Sequence, residues 1–213
     1  MVLTQAQVKR NRQERILYTL DRLGFATTSQ LQEIHKLGQK RNTLRIIKEM
    51  ESYLHKKSHP ERYGENVYYL NPLGREVIGT SKERKWNAEI VEHYLMRNDF
   101  FIYLGCPQNF EIEREIVMKL KEGNTHREEI IRCDALYKKE EVMYFLEVDR
   151  TQSMSENKKK IERYKKASDI IKKKFSNSPV IVFYTGSKIR KINIEKNLEK
   201  TGLKYEIYSR EEI

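Results

Sequence analysis

Between residues 141 and 186 two apolar runs flank a long, charged helix pattern, and no other feature constrains the fold as tightly. "EVMYFLEVD" is a strand pattern made of Met, Tyr, Phe, Leu and Val. "SENKKKIERYKKASDIIKKKF" follows, with Ile161, Tyr164, Ser168 and Ile171 at helical spacing and a dense lysine face opposite. "PVIVFYTG" is a continuous apolar run, as in a strand buried on both faces. A further helix, "KIRKINIEKNLEKTG", and a strand, "LKYEIYS", continue the order. Upstream, "SKERKWNAEIVEHYLMRN" reads as a helix with Trp86, Ile90, Tyr94 and Leu95 inward, and "DFFIYLG" as a short apolar strand. "FEIEREIVMKL" is open between strand and helix, "GNTHREE" reads as a loop, and "IIRCDALY" pairs with "EVMYFLEVD" around Lys138-Lys139-Glu140-Glu141. Residues 81–213 therefore predict an α/β layer with a mixed sheet.

Residues 1–80 predict a separate domain. "KRNRQERILYTLDRL" places Ile16, Leu17, Leu20 and Leu23 on one face, and Gly24 stops the helix. "TTSQLQEIHKL" opens with good N-cap types and carries Leu31, Ile34 and Leu37; Gly38 ends it. "QKRNTLRIIKEMESYL" is a third helix, with Leu44, Ile47 and Met50 expected inward and Arg41, Arg45 and Lys48 outward. Three short helices with a glycine turn before the third predict a helix-turn-helix. Arg41, Asn42, Thr43, Arg45 and Lys48 are then the candidate contacts to phosphates and base edges. "LHKKSHPERYGENVYYL" reads as a winged hairpin, which adds Lys56, Lys57, His59 and Arg62. His55 and His59 are four apart, but no cysteine or acidic cluster accompanies them, which argues against zinc.

Charge points the same way. The net charge is +11, and residues 1–82 hold 15 Lys/Arg against 8 Asp/Glu. Such a chain favours a polyanion, and double-stranded DNA is the expected partner. No apolar run approaches a membrane span, and the polar N-terminus lacks a signal core, so a cytoplasmic protein is expected. Cys106 and Cys133 are then expected as reduced, buried thiols.

The strand ending Glu-Val-Asp carries the candidate chemistry. A hairpin turn centred between Lys139 and Glu140 opposes Asp134 to Phe145 and Arg132 to Glu147. Opposed residues share a face, and each face repeats every second residue. Arg132, Asp134, Glu147 and Asp149 would share one side, with Asp134 and Glu147 near enough to hold a divalent cation such as magnesium or manganese. That ion could activate water at a phosphodiester. The same residues also suit a purely structural role: Arg132 paired with Glu147, and Asp149 capping the next helix.

"CDALY…YFLEVDRTQ…KKKIERY", preceded by "VYYLNPLGREVIG", resembles the replication-relaxation family of bacterial plasmids and mobile elements over roughly residues 10–185. The resemblance implies a DNA-binding role in replication, relaxation or their control, with replication or mobilisation proteins as partners. On this reading the second domain is a scaffold or a homodimerisation unit. The hairpin also resembles the core of the PD-(D/E)xK nucleases. That analogy implies catalytic Asp134, Glu147 and Asp149, and a metal held by Asp134, Glu147 and either Glu89 or Glu92. Asp149 stands where those nucleases carry a lysine, so Lys160, or another lysine of the run 158–160, would have to substitute. The alternative function is then a metal-dependent DNA endonuclease or nickase.

Overall fold

A computed structural model describes residues 4–122 and 125–213. The chain divides into two compact units, 1–102 and 103–213. The fold is mixed α+β, with seven helices and two sheets among the described residues. None of the described helices is long and apolar enough to cross a membrane.

In the first unit, α1 (Gln5–Leu23) is opened by a capping box between Thr4 and Gln7. It buries the predicted Ile16, Leu17, Leu20 and Leu23. The short strand β1 (Ala26–Thr27) leads into α2 (Thr28–His35), which a second capping box, Thr27 with Gln30, fixes. Lys36 and Gly38, both at positive φ, turn the chain into α3 (Lys40–Lys48). β2 (Leu54–Ser58) and β3 (Asn66–Leu70) form an antiparallel hairpin, and β1 pairs with the other edge of β3. α4 (Pro72–Ile78) follows. Its Gly74 is required, since a Cβ there would stand 2.2 Å from the Tyr53 carbonyl oxygen.

Two predictions fail in this unit. The inward face of α3 is Thr43, Ile46 and Ile47, with Met50 just beyond; Leu44 is 40% exposed. The true apolar stripe is rotated by about one residue, because both isoleucines face the core. The expected helix 81–98 and strand 99–105 are instead one helix, α5 (Ala88–Tyr103). A short apolar run such as Phe100-Phe101-Ile102 cannot be told from a helix segment by composition. Here Phe100 and Phe101 extend the face of Val91, Leu95 and Met96, while Ile90 is exposed. Polar side chains bind α5 into the first unit. Arg97 donates to the Leu23 carbonyl, Asn98 to that of Phe25, and Gln30 to that of Leu95.

The second unit is a five-stranded sheet in chain order: β4 (Glu111–Glu122), β5 (Thr125–Lys139), β6 (Val142–Asp149), β7 (Val180–Thr185) and β8 (Lys204–Ser209). β4, β5 and β6 are antiparallel; β6, β7 and β8 are parallel. The sheet is mixed, as predicted. "FEIEREIVMKL" resolves to a strand. Of the expected loop, Gly123 and Asn124 lie outside the described residues, and Thr125 onward belongs to β5. The parallel pairs are joined by α6 (Met154–Phe175) and α7 (Lys188–Leu198). Ile161, Tyr164, Ala167 and Ile171 of α6 join Phe145, Ile181 and Phe183 of the sheet, with Ile194 and Leu198 of α7, in one core. Both crossover helices therefore cover the same sheet face.

The register differs from the expected one by two residues. Leu136, not Asp134, opposes Phe145, and Lys139 opposes Val142. Glu140 and Glu141 both have positive φ and form the two-residue turn themselves. A slip of two keeps Asp134 and Glu147 on one face, where a slip of one would have separated them.

Candidate carboxylate site and basic surfaces

The corrected register places Asp134 opposite Glu147, one step beyond the last pair, Ala135 with Leu146. At this point the β4–β5 ladder skips the pairing of Glu113 with Asp134, and Glu113 has a φ of 50°. On either side of it Cys133 and Leu136, of opposite parity, enter the same core. Asp134 accepts a hydrogen bond from the Val148 amide at 2.7 Å.

Glu147 is buried. One carboxylate oxygen takes the Lys160 ammonium at 2.6 Å, and the other takes the Tyr164 hydroxyl at 2.6 Å. Burial raises the Glu147 carboxyl to about 7; Lys160 opposes that rise and Asp134 adds to it. Burial lowers the Lys160 ammonium, but Glu147 and Asp134 outweigh it and hold the net shift upward. Burial and the Glu147 charge likewise push the Tyr164 hydroxyl well above its ordinary range. Cys133 is a buried thiol pushed up by the same burial and carboxylates, and Cys106, half-buried, forms no disulfide.

Asp149 is held from both crossover helices. Arg190 of α7 clasps its carboxylate at 2.5 and 2.8 Å, and Asn157 of α6 donates to it at 2.8 Å. It ties the end of β6 to the starts of both crossover helices. The cap of α6 itself is Ser153, in a box with Glu156. Arg132 pairs with Glu115 of β4 at 2.5 Å rather than with Glu147. Glu89 lies exposed on the first turn of α5 in the first unit. The buried Glu92 is ion-paired with Arg62, also in the first unit.

Two opposed carboxylates are the start of a divalent-cation site. The donor set around them does not complete one. Glu147 already pairs with Lys160, and Asp149 is locked to Arg190. Among the described residues, no three His, Cys, Asp or Glu side chains are grouped to hold a metal ion. The Lys160 ammonium is the cation beside Glu147 among the described residues.

In the first unit, Arg41, Lys48, Lys56 and Lys57 are exposed, as a DNA contact requires. A cavity of about 340 Å³ runs between α3 and the hairpin, with Lys48 on one wall and Lys56 on the other, over Leu44, Leu54 and Tyr68. Lys57 also lies over the Trp86 ring at 5.2 Å. Five expected contacts are instead internal or occupied. Thr43 is fully buried, its hydroxyl facing the Gln39 carbonyl. Asn42 donates to the Leu37 carbonyl and accepts from Arg45. Arg45 is paired with Glu49 at 2.7 Å. Arg62, only 12% exposed, bridges Glu92 at 2.9 Å and Asp99 at 2.7 Å, so it fastens the hairpin to α5. Buried His59 joins it, its ring nitrogen 3.1 Å from the Ala88 carbonyl.

Sequence reasoning overlooked Tyr164 as a polar partner. Its spacing of four from Lys160 was the available signal, since such residues share a helix face. It also overlooked Arg190, and nothing in the sequence pointed 41 residues ahead from Asp149. On α1, Arg12 and Arg15 line a cavity with Asn11 and His35, whose imidazole burial and Arg15 hold down to about 4.

A small helical unit with a basic helix and hairpin, followed by a mixed sheet around a lysine-neutralised carboxylate pair, defines a two-unit α+β protein. The sequence model of the replication-relaxation family matches residues 17–181, so the chain belongs to that family. Membership places its role in plasmid or mobile-element replication or relaxation. No curated protein and no solved structure matches the chain.

Proposed function

We propose that the protein binds duplex DNA through α3 and the β2–β3 hairpin, acting as a winged helix-turn-helix. On this reading the second unit is a PD-(D/E)xK-like scaffold without cleavage chemistry. The observation that carries the reading is the groove whose two walls present Lys48 of α3 and Lys56 of β2, with Arg41 and Lys57 exposed nearby. Cations on a helix and an adjacent hairpin suit two contacts along one duplex backbone. Each phosphate-binding cation removed should reduce the salt slope of duplex binding by about 0.9. Arg41→Ala/Lys48→Ala should therefore flatten log K against log salt by about 1.8. Coincident curves for wild type and variant would remove this assignment.

A second reading has one observation in its favour. Lys160 restores a lysine beside Glu147, where the nuclease-like motif lacks one. Cleavage still requires a metal, and the donor set does not fit one. Nicking of supercoiled plasmid in magnesium or manganese, abolished in Glu147→Gln, would replace the scaffold reading with the endonuclease reading.

A further inference from the structure

The cations of α6 do more than solvate a helix. Two depressions adjoin along its first half. One, of about 210 Å³, is lined by Ile130, Arg132, Glu147, Lys160 and Arg163. The other, of about 410 Å³, is lined by Gln152, Glu156, Lys159, Lys160 and Arg163. Lys160 and Arg163 line both, so the two form a continuous groove. Its carboxylates are engaged: Glu147 holds Lys160 and Tyr164, and Glu156 closes the capping box with Ser153. Arg132 is held by Glu115. Lys159 and Arg163 are exposed and make no ion pair among the described residues. They leave the groove with two uncommitted positive charges.

The helix extends this field. Lys158-Lys159, Lys165-Lys166 and Lys172-Lys173 recur every seven residues and are all exposed. At 1.5 Å per residue the pairs step about 10.5 Å along the axis. Glu162 and Asp169 lie within the stripe but are outnumbered by it. The apolar wall at Ile130 offers contact to a sugar or base edge, which an isolated inorganic anion would not use. An apolar wall beside paired cations suits an unpaired nucleotide, whose sugar and base face are open to contact.

From this we infer that the second unit carries its own nucleic-acid site, a groove along α6 that holds the phosphodiester backbone of a single strand with Lys159 and Arg163 on the phosphates. This site is independent of the duplex contact proposed for the first unit. A chain that holds a duplex at one unit and a strand at the other would be equipped for DNA whose strands are partly separated, the state that replication and relaxation both pass through.

The test uses the full chain with two labelled probes, a thymidine oligomer of about 20 nucleotides and a duplex of the same length, titrated over a range of salt. Lys159→Ala/Arg163→Ala should weaken oligomer binding about tenfold and reduce its salt slope by about 1.4, while duplex binding holds. Arg41→Ala/Lys48→Ala should do the reverse. Both replaced pairs are exposed, and an unchanged melting temperature shows that the fold is intact. Wild-type oligomer binding by the α6 variant would overturn the inference, as would equal loss on both probes. Failure of the α3 variant alone would refute the duplex assignment and leave the groove standing.

Discussion

Replacing Glu147 by glutamine should remove a pH dependence that only a buried carboxyl can produce. In the fold this group is held near 7, against 4.5 for an ordinary glutamate, chiefly by burial. A difference of that size corresponds to about 3 kcal/mol. Because the folded value is raised, the folded chain binds the Glu147 proton more tightly than the unfolded chain does. The stabilisation is fully present below pH 4.5 and is lost as pH climbs through 7, when the unfolded chain releases its proton first. The glutamine side chain would keep the volume and accept from Lys160, yet titrate nothing. The difference in unfolding free energy between wild type and Glu147→Gln should therefore fall by about 3 kcal/mol from pH 4.5 to pH 8. Urea denaturation followed by far-UV circular dichroism measures it. Trp86, the chain's one tryptophan, lies in the first unit, so its fluorescence separates that unit's unfolding from the second. Taking the difference also cancels the opposite trend of His35, whose lowered value makes the first unit lose stability as pH falls from about 6.5 towards 4. Parallel pH profiles for the two proteins would refute the buried, lysine-paired carboxyl.

Arg62→Ala should destabilise the first unit by roughly 3–5 kcal/mol, because it strips the guanidinium from buried Glu92; a DNA-binding defect at unchanged melting temperature would return Arg62 to the surface role first expected of it. Magnesium or manganese at millimolar concentration should leave the wild-type melting temperature unchanged, since Lys160 already neutralises Glu147. A rise that Asp134→Ala abolishes would show a metal bound at that pair after all. Asp149→Asn should loosen the second unit by about 1–3 kcal/mol through the weakened Arg190 clasp, read from its chemical denaturation midpoint; no change would mean that Asn157 alone secures the end of β6.

Much of this was legible in the sequence, and the reason is periodicity. The apolar face of α1, the inward Ile161, Tyr164 and Ile171 of α6, and the buried run of β7 all follow from residues that repeat at the spacing of their own element. The faces of the β5–β6 hairpin were legible too. A two-residue register error preserves parity, so Asp134 and Glu147 still came together. What the sequence could not supply was choice among partners far apart in the chain. Glu147 had Arg132 as its obvious cross-strand mate, but the register gives Arg132 to Glu115 and a helix crossing the sheet delivers Lys160. Asp149 occupies a motif's catalytic place, yet α7 returns Arg190 to it and makes it a tie. Arg62 sits in a basic loop and reads as a DNA contact until α5 brings Glu92 and Asp99 against it. Composition and spacing determined which elements form and which faces they bury, because those are local matters of 3.6- and 2-residue repeats. Only the tertiary packing decided which charges were left for a ligand, since each buried carboxylate must find a counter-charge and takes the nearest one in space.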